Sequence, residues 1–314
     1  MSGRYTHEIS YGKLQVPVYR AYARPLAGLA PIPESAVTAL DNTLFAVEVD
    51  VEVFGENFLP AYTQGDNSNV VATDSMKNVV LRQALAWDGA TLESYLADTA
   101  RHLLDEYPQM ERLRITGRRI PFAAVRVPGA DGDFAPSDKL FSQTRGEHAE
   151  ATLGFVRGGD GKPALAFHRS VLAGVQLLKV TGSAFTRFVR DDNTTLPERG
   201  DRPLYIALDV AWEYTNAAEM LGGAPARYVA AEQVRDLVQV VFHEMVSESI
   251  QHLVHAMGTR MLERFPQLAS VSFEALNRTP DPVGASPTDP QVKVYTAPFP
   301  AYGLIRLALR RGEQ

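Results

Sequence analysis

Two similar seven-residue stretches decide the fold of this chain: Leu104-Asp-Glu-Tyr-Pro-Gln-Met110 and Leu262-Glu-Arg-Phe-Pro-Gln-Leu268. Leu104 and Leu262 lie 158 positions apart, about half of the 314 residues. Each stretch ends a segment of helical periodicity and precedes a segment in which apolar and polar residues alternate. Alternation with a period of two is typical of a half-buried antiparallel strand. The repetition of the stretch and of its flanks predicts two homologous halves.

The periodicities also predict the order of elements within each half. The strands are predicted at 44–58, 69–73, 112–120, 147–157, 164–180, 204–214, 268–276 and 292–310, and the helices at 74–86, 91–107 and, with a break, 225–265. Each half then has the order strand, strand, helix, helix, strand, strand, an α+β fold with an antiparallel sheet and helices on one face. We expect domains at 1–157 and 163–314, joined by a turn-rich linker, and a surface insertion at Pro25–Pro33.

A sheet of this kind has two bare edges, and such edges aggregate unless they are paired. Edge-to-edge pairing of the two halves and of several chains would close a barrel. The architecture therefore predicts a symmetric homo-oligomer.

Composition excludes several classes of protein. The net charge of −6 argues against a nucleic-acid binder. Zero cysteines exclude disulfides, thiol nucleophiles and thiolate-held metals. The polar N-terminus and the lack of a long apolar run predict neither a secretory signal nor a membrane span. We expect a soluble cytoplasmic protein with no membrane partner.

The most unusual stretch runs from Asn67 to Asn78, where a predicted strand leads straight into a helix with Thr73 and Asp74 at the junction. Thr or Asp at such a junction is a common N-cap. The free N–H groups of the first helical turn favour an anion. Taken alone, the junction is compatible with a plain capped helix or with an anion site.

Five blocks in this chain, in order, resemble the urate oxidase family. They are Tyr11-Gly12-Lys13; Asp66-Asn67-Ser68 with Val71-Ala-Thr73-Asp74-Ser-Met-Lys77-Asn78; Phe185 with Arg190-Asp191, Thr194-Thr-Leu196 and Asp201-Arg202; Ile250-Gln251; and Asn277-Arg278. The resemblance spans residues 11 to 278 and implies the tunnelling fold, a duplicated β-β-α-α-β-β unit. It implies that urate, oxygen and water give 5-hydroxyisourate and hydrogen peroxide without cofactor or metal.

The resemblance also implies residue roles. Lys13 would be the base, since burial can lower the pKa of a lysine, and Thr73 would relay its proton. The backbone N–H of Asp74 would bind the urate anion at the helix start. Asn277 would hold oxygen, and later water, above the ring together with Thr73.

The resemblance implies the remaining binding residues as well, and each of them suits the flat, polar-edged shape of a purine. Phe185 would stack on the ring, Arg202 would bind a carbonyl and a ring nitrogen, and Gln251 would bind the adjacent edge. Ile250 would contribute a backbone N–H, and Leu196 would form a wall. The family places Lys13 and Thr73 on one chain and the residues from 185 to 277 on another, in a homotetramer.

One position departs from the family. Many members carry a histidine two residues after the asparagine, where it supports the Lys–Thr relay, and this chain has Thr279. Threonine can hydrogen-bond to the lysine but does not titrate near neutral pH. Thr279 is therefore a possible support of the relay.

From the residues alone, two alternatives to an oxidase are a non-oxidative binding protein and a structural ring protein. A purine- or pterin-binding protein of the same fold could be non-oxidative, since one fold hosts several chemistries. A structural ring protein would not need Phe185, Arg202 and Gln251 together. The histidine spacings match no metal-binding motif, and no nucleotide-binding glycine motif occurs.

Overall fold

A computed structural model describes residues 5–129 and 131–312 of the chain. The chain has two compact units, and each is described by itself. Of the described residues, 5–30, 38–170 and 216–228 form the first unit, and 31–37, 171–215 and 229–312 form the second. The predicted duplication at 1–157 and 163–314 stays a prediction.

The described part of the chain contains fourteen strands and five α-helices. The strands are β1 (Ser10–Ala21), β2 (Leu26–Ala27), β3 (Ala39–Leu40), β4 (Leu44–Phe54), β5 (Arg112–Arg119), β6 (Phe122–Pro128), β7 (Phe134–Gln143), β8 (His148–Arg157), β9 (Pro163–Lys179), β10 (Leu204–Tyr214), β11 (Leu268–Asn277), β12 (Pro282–Ala285), β13 (Lys293–Tyr295) and β14 (Gly303–Arg310). The α-helices are α1 (Leu59–Thr63), α2 (Thr73–Ala86), α3 (Leu92–Glu106), α4 (Ala231–Glu244) and α5 (Ile250–Arg264).

In the first unit, the order of the long strands is β1-β4-β5-β8, and the pairings are antiparallel. Alternation is clearest in β4, where the buried Phe45, Val47, Val49, Val51 and Val53 alternate, from Val47 onward, with acidic residues. Helices α2 and α3 pack on this unit's strands. The apolar face of the sheet under these helices forms the core of the unit.

In the second unit, the order is β9-β10-β11-β14, with antiparallel pairing from β10 to β14. Helix α5 packs on β11 and β14, and α4 packs on α5. The chain is therefore an α+β protein with antiparallel strands and helices, as predicted.

The repeated stretches make the same contacts in both units. Arg157 donates to the backbone carbonyls of Leu104, Tyr107 and Met110, and Arg311 donates to those of Leu262, Phe265 and Leu268. An arginine at the end of β8 and one directly after β14 thus bind the C-terminal ends of α3 and α5, where carbonyls lack intrahelical partners. The two repeated stretches thus occupy equivalent places at the ends of α3 and α5.

The two units also share a helix cap and a hydrogen bond to an aspartate. Asp50 accepts a 2.7 Å hydrogen bond from the backbone of Gln15, and Asp209 accepts one of 2.7 Å from Gly174. Both donors have positive φ, 58° for Gln15 and 76° for Gly174. The second helix of each unit is capped by its preceding residue, Thr91 or Ser249. The two units share this backbone-to-aspartate hydrogen bond as well as their helix ends.

Several sequence predictions were wrong in detail. No strand forms at 69–73, because Val70 closes a turn on Asn67 instead of joining a ladder. The strand predicted at 44–58 ends at Phe54, and the one predicted at 292–310 is split into β13 and β14. The hairpins β6–β7 and β12–β13 were not predicted, because most of their residues are exposed and carry no clear alternation.

Pro25–Pro33 lies outside the long strands, as predicted, but the prediction of a surface insertion was wrong for its apolar residues. Leu26, Leu29 and Ile32 are buried. In the second unit, the adjacent Glu34 has a side chain only 3% exposed and forms ion pairs with Arg260 and Arg264 of α5, both at 2.9 Å. The segment that follows Pro33 is thus held to α5 by ion pairs.

None of the helices in the described residues is both long enough and apolar enough to cross a membrane. The cytoplasmic location stays a prediction.

Candidate active site

A loop between β9 and β10 carries three of the predicted binding residues, and an aspartate fastens its two ends. Asp201 accepts a 2.8 Å hydrogen bond from the backbone of Gly182 and bonds of 2.9 and 3.0 Å from the hydroxyl of Thr181. The hydrogen bond from Gly182 is the main cause that lowers the pKa of Asp201 below its usual value. The carboxylate therefore stays ionised and holds the loop closed near neutral pH.

A second anchor ties the loop to the connection between α4 and α5. Ser183 and Ser247 are fully buried, and their hydroxyl oxygens lie 3.1 Å apart in a hydrogen bond. The backbone of Ala184 donates to Ser247 at 2.8 Å. The loop and the start of α5 are thus positioned together.

Phe185 is held by the loop's own backbone. Phe185 and Arg199 exchange backbone hydrogen bonds of 2.8 and 3.0 Å. The Phe185 ring stacks on Phe188 with 4.7 Å between centroids and 12° between planes. The backbone hydrogen bonds and the contact with Phe188 thus fix the position of the Phe185 ring, as a stacking platform requires.

Arg202 is the charged centre of this region. Its backbone N–H donates to Ser183 at 2.8 Å, and its guanidinium carbon lies 5.2 Å from the centroid of Phe185. The Nε atom is buried without a hydrogen-bond partner, and no carboxylate pairs with the side chain in the described residues. Burial, together with the charge of Arg199, lowers the pKa of Arg202. A half-buried guanidinium without a carboxylate partner favours an anionic or strongly polar ligand.

Ile250 and Gln251 open α5. The hydroxyl of Ser249 caps the helix by accepting from the backbone of His252 at 3.1 Å, and the first intrahelical bond runs from Leu253 to Ser249. The N–H groups of Ile250 and Gln251 precede that first bond and point out of the helix end. They are donors in position for a ligand.

Asn277 ends β11. Its Oδ1 accepts from the backbone of Thr279 at 3.1 Å and also from the Thr279 hydroxyl. Asn277 pairs with Gly303 at the start of β14. The structure thus places Thr279 against Asn277.

Together these elements enclose a cavity of ≈ 120 Å³ in the second unit. Six of the residues that line it were predicted from the sequence: Phe185, Leu196, Arg202, Ile250, Gln251 and Asn277. The other two, Gly303 and Ile305 of β14, were missed. They come to the cavity because β14 pairs with β11, and that register was not readable from the sequence.

Lys13, Thr73 and Asp74 belong to the first unit and are not among the residues that line this cavity. Lys13 pairs with Val51 and Val16 with Val49, so one extra residue sits between them in β1. This bulge puts Lys13 on the same sheet face as Val16, the face that α2 covers. A Cβ atom on Gly12 would lie 1.9 Å from the Val51 carbonyl, so only glycine fits beside the bulge.

The sequence predicted Thr73 or Asp74 as the N-cap of α2, but Ala72 is the capping residue and no side chain caps the helix. Thr73 and Asp74 are the first helical residues. The Asp74 carboxylate binds Lys77 and Asn78, and the hydrogen bond from Lys77 is the largest cause that lowers its pKa. The charge of Lys13 contributes to the same shift, so Lys13 lies near this helix end.

Neither the ammonium of Lys13 nor the hydroxyl of Thr73 has a hydrogen-bond partner among the described residues. By the repeat equivalences, their counterparts in the second unit are Leu172 and Ala231. These side chains have no polar atoms. At these equivalent positions of the described residues, the Lys–Thr pair occurs in the first unit and not in the second.

A family model, two curated relatives and two solved structures that match this chain are all named uricase or urate oxidase. The family model described as Uricase matches residues 33–156 and 168–306. A uricase of Haloferax volcanii is 48% identical over 86% of this chain and 88% of its own length, and one of Halalkalicoccus jeotgali is 50% identical over the same shares. The structure resembles that of Bacillus sp. TB-90 urate oxidase with a TM-score of 0.94 and 42% identity, covering 97% of this chain and 100% of the other. A Bacillus fastidious uricase gives a TM-score of 0.93 with 41% identity over 97% and 94%.

Proposed function

The chain belongs to the uricase family and oxidises urate with oxygen, and we propose that it does so where the Arg202 cavity of one subunit meets Lys13, Thr73 and Asp74 of a second copy. The observation that carries the proposal is the composition of the cavity. It has an unpaired cation and a stacking ring, but none of its lining residues can accept a proton at neutral pH. The candidate base lies in the other unit of the chain.

The cavity suits the urate anion. Phe185, which lines the cavity, would stack on the flat ring, and Arg202 would place parallel N–H groups on a carbonyl and a ring nitrogen. Gln251 carries both a donor and an acceptor for the neighbouring edge, and the N–H of Ile250 adds a donor. Leu196 forms a wall.

Proton removal is the task of Lys13 and Thr73. Lys13 forms no ion pair or hydrogen bond within 4.0 Å in the described residues, so its amine is available to Thr73 and to the substrate. A hydroxyl cannot act as a base by itself, but it can pass a proton between the substrate and an amine. The N–H of Asp74, at the positive end of α2, would bind the opposite edge of the anion.

Asn277 holds oxygen and then water above the ring, because an amide donates a hydrogen bond without introducing a charge. Two electrons and two protons pass from urate to oxygen, which leaves as hydrogen peroxide. Water adds to the oxidised purine and gives 5-hydroxyisourate. No residue changes its oxidation state, so the substrate itself supplies the electrons.

We also propose a homotetramer in which the sheets of several copies close a barrel. In the described residues, β1 and β14 each pair with one neighbouring strand only. Open edges of this length need a partner, and closed rings of identical subunits provide one.

The direct test is to mix the purified protein with urate in air, with metals chelated, and to follow ultraviolet loss of urate and release of peroxide. We expect both, in equal amounts and undiminished by the chelator. Binding of urate without peroxide would favour a non-oxidative purine-binding protein, and loss of activity on chelation would contradict the cofactor-free reaction.

A further inference from the structure

Thr279 makes its contacts with Asn277. Its backbone N–H and its hydroxyl both donate to the same atom, Oδ1 of Asn277. The backbone of Arg278 donates to Tyr205 at 2.8 Å, and the Arg278 guanidinium lies over the Tyr302 ring at 5.1 Å. The turn after β11 is therefore held from both sides, and Thr279 is fixed in place.

These two bonds decide which end of the Asn277 amide faces the cavity. An amide has one oxygen that accepts and one nitrogen that donates. The oxygen is engaged by Thr279, and the nitrogen has no acceptor among the described residues. Because Asn277 lines the cavity, the group left for a ligand is the NH₂ donor.

We propose that Thr279 is a positioning residue that holds the Asn277 amide with its NH₂ group toward the cavity. The subsite that Asn277 forms is then a hydrogen-bond donor, suited to oxygen species that gain negative charge and to the peroxide formed from them. With the amide reversed, its oxygen would face those species and repel them. This inference rests on the proposed role of Asn277.

The geometry gives Thr279 a different task from the proton relay. Its single hydroxyl proton is donated to Asn277 and is not available to Lys13. The hydroxyl does not titrate near neutral pH, so this hold on the amide does not vary with pH there. A β-branched side chain has few rotamers, which helps to keep the hydroxyl aimed at Asn277.

The test compares Thr279→Val, which keeps the shape but removes the hydroxyl, with Thr279→Ser, which keeps the hydroxyl. We expect Thr279→Val to lower kcat about tenfold, the effect of one lost hydrogen bond. The Kd for urate without oxygen should change less than about twofold, and Thr279→Ser should stay within about twofold of the parent in both. Thr279→Ala, which has no branch to misplace, gives a second measurement if Thr279→Val does not fold.

A double-mutant cycle with Asn277→Ala shows whether Thr279 acts through the amide. If it does, Thr279→Val should cause no further loss of kcat in the Asn277→Ala protein. Parental kcat in both Thr279→Val and Thr279→Ala, or an equal loss with and without Asn277, would overturn the inference. Full turnover by Asn277→Ala alone would instead contradict the proposed site.

Discussion

The guanidinium carbon of Arg202 lies 5.2 Å from the centroid of the Phe185 ring, and the Nε of this arginine is buried without a partner. The two residues are brought together by one loop whose ends meet at Asp201. A flat platform beside an unpaired cation is a binding arrangement for a flat anion. The first prediction tests this arrangement.

Replacement of Arg202 by alanine should weaken urate binding more than it slows turnover. A hydrogen bond to a charged group contributes about 1.5–3 kcal/mol, so Kd should rise about 10- to 100-fold. Kd is measured by titration without oxygen, and kcat at saturating urate. The control is Arg187→Ala on the same loop, since Arg187 is 77% exposed and pairs with Glu248. An unchanged Kd for Arg202→Ala would remove the arginine from the site.

Loss of the proton relay should slow turnover and leave urate binding in place. Lys13→Met and Thr73→Ala should each lower kcat at least about 10²-fold, as loss of a general base does, while urate still binds. Steady-state kinetics and anaerobic titration separate the two effects. Lys77→Met is the matched control, since Lys77 lies in the first turn of α2 and binds Asp74. Full turnover by Lys13→Met would show that another group is the base.

Removal of the loop anchor should act on substrate affinity. Asp201→Ala leaves the N–H of Gly182 and the hydroxyl of Thr181 without their acceptor, so the loop with Phe185 and Arg202 becomes less ordered. The KM for urate should rise about 3- to 10-fold, from the loss of about 1 kcal/mol. Asp192→Ala, exposed on the same loop, should leave KM unchanged. An equal rise in KM for both variants would show that the effect is not specific to the hydrogen bonds of Asp201.

The ion pairs of Glu34 predict how stability depends on pH. Burial alone would raise the pKa of Glu34, but hydrogen bonds from Arg264 and Arg260 outweigh it and lower the pKa. A carboxyl pKa that is lower in the folded state stabilises the fold above the ordinary value of about 4.3, and this contribution is lost as the pH falls through the lowered pKa.

Glu34→Gln should therefore unfold about 2–5 °C below the parent at pH 7, and the difference should shrink below about pH 4. Calorimetry from pH 7 to pH 3 measures it. Glu263→Gln, on the exposed side of α5, should change Tm little. A Tm difference between Glu34→Gln and the parent that stays constant down to pH 3 would contradict a stabilising ionised Glu34.

Local sequence signals predicted most of the fold. The repeated Leu104 and Leu262 stretches gave the two helix ends, and apolar alternation located β4, β5, β10 and β11. The strand predicted at 69–73 failed because a short apolar run has the same appearance in a turn as in a strand. The hairpins β6–β7 and β12–β13 were missed because exposed strands lack a buried face.

The candidate site was predicted only as far as single residues and their neighbours allow. Six of the eight residues that line the cavity stand in recognisable blocks of sequence. Gly303 and Ile305 have no such block, since only the pairing of β14 with β11 brings them there. The contact of Thr279 with Asn277, like the lack of a partner for Arg202, depends on side-chain geometry that residue order does not determine.

The central claim is that the cavity of one subunit is completed by Lys13 and Thr73 of another. Lys13→Met and Arg202→Ala proteins should be combined in mixed oligomers confirmed by native mass spectrometry and assayed at a urate concentration well below the raised Kd of Arg202→Ala, where each variant alone has little activity. If the halves come from different chains, some sites receive two intact halves, and peroxide release should recover to a substantial fraction of the parental rate. Mixed oligomers that stay as inactive as the separate variants would contradict a shared site and place Lys13 and Arg202 in one chain's own site.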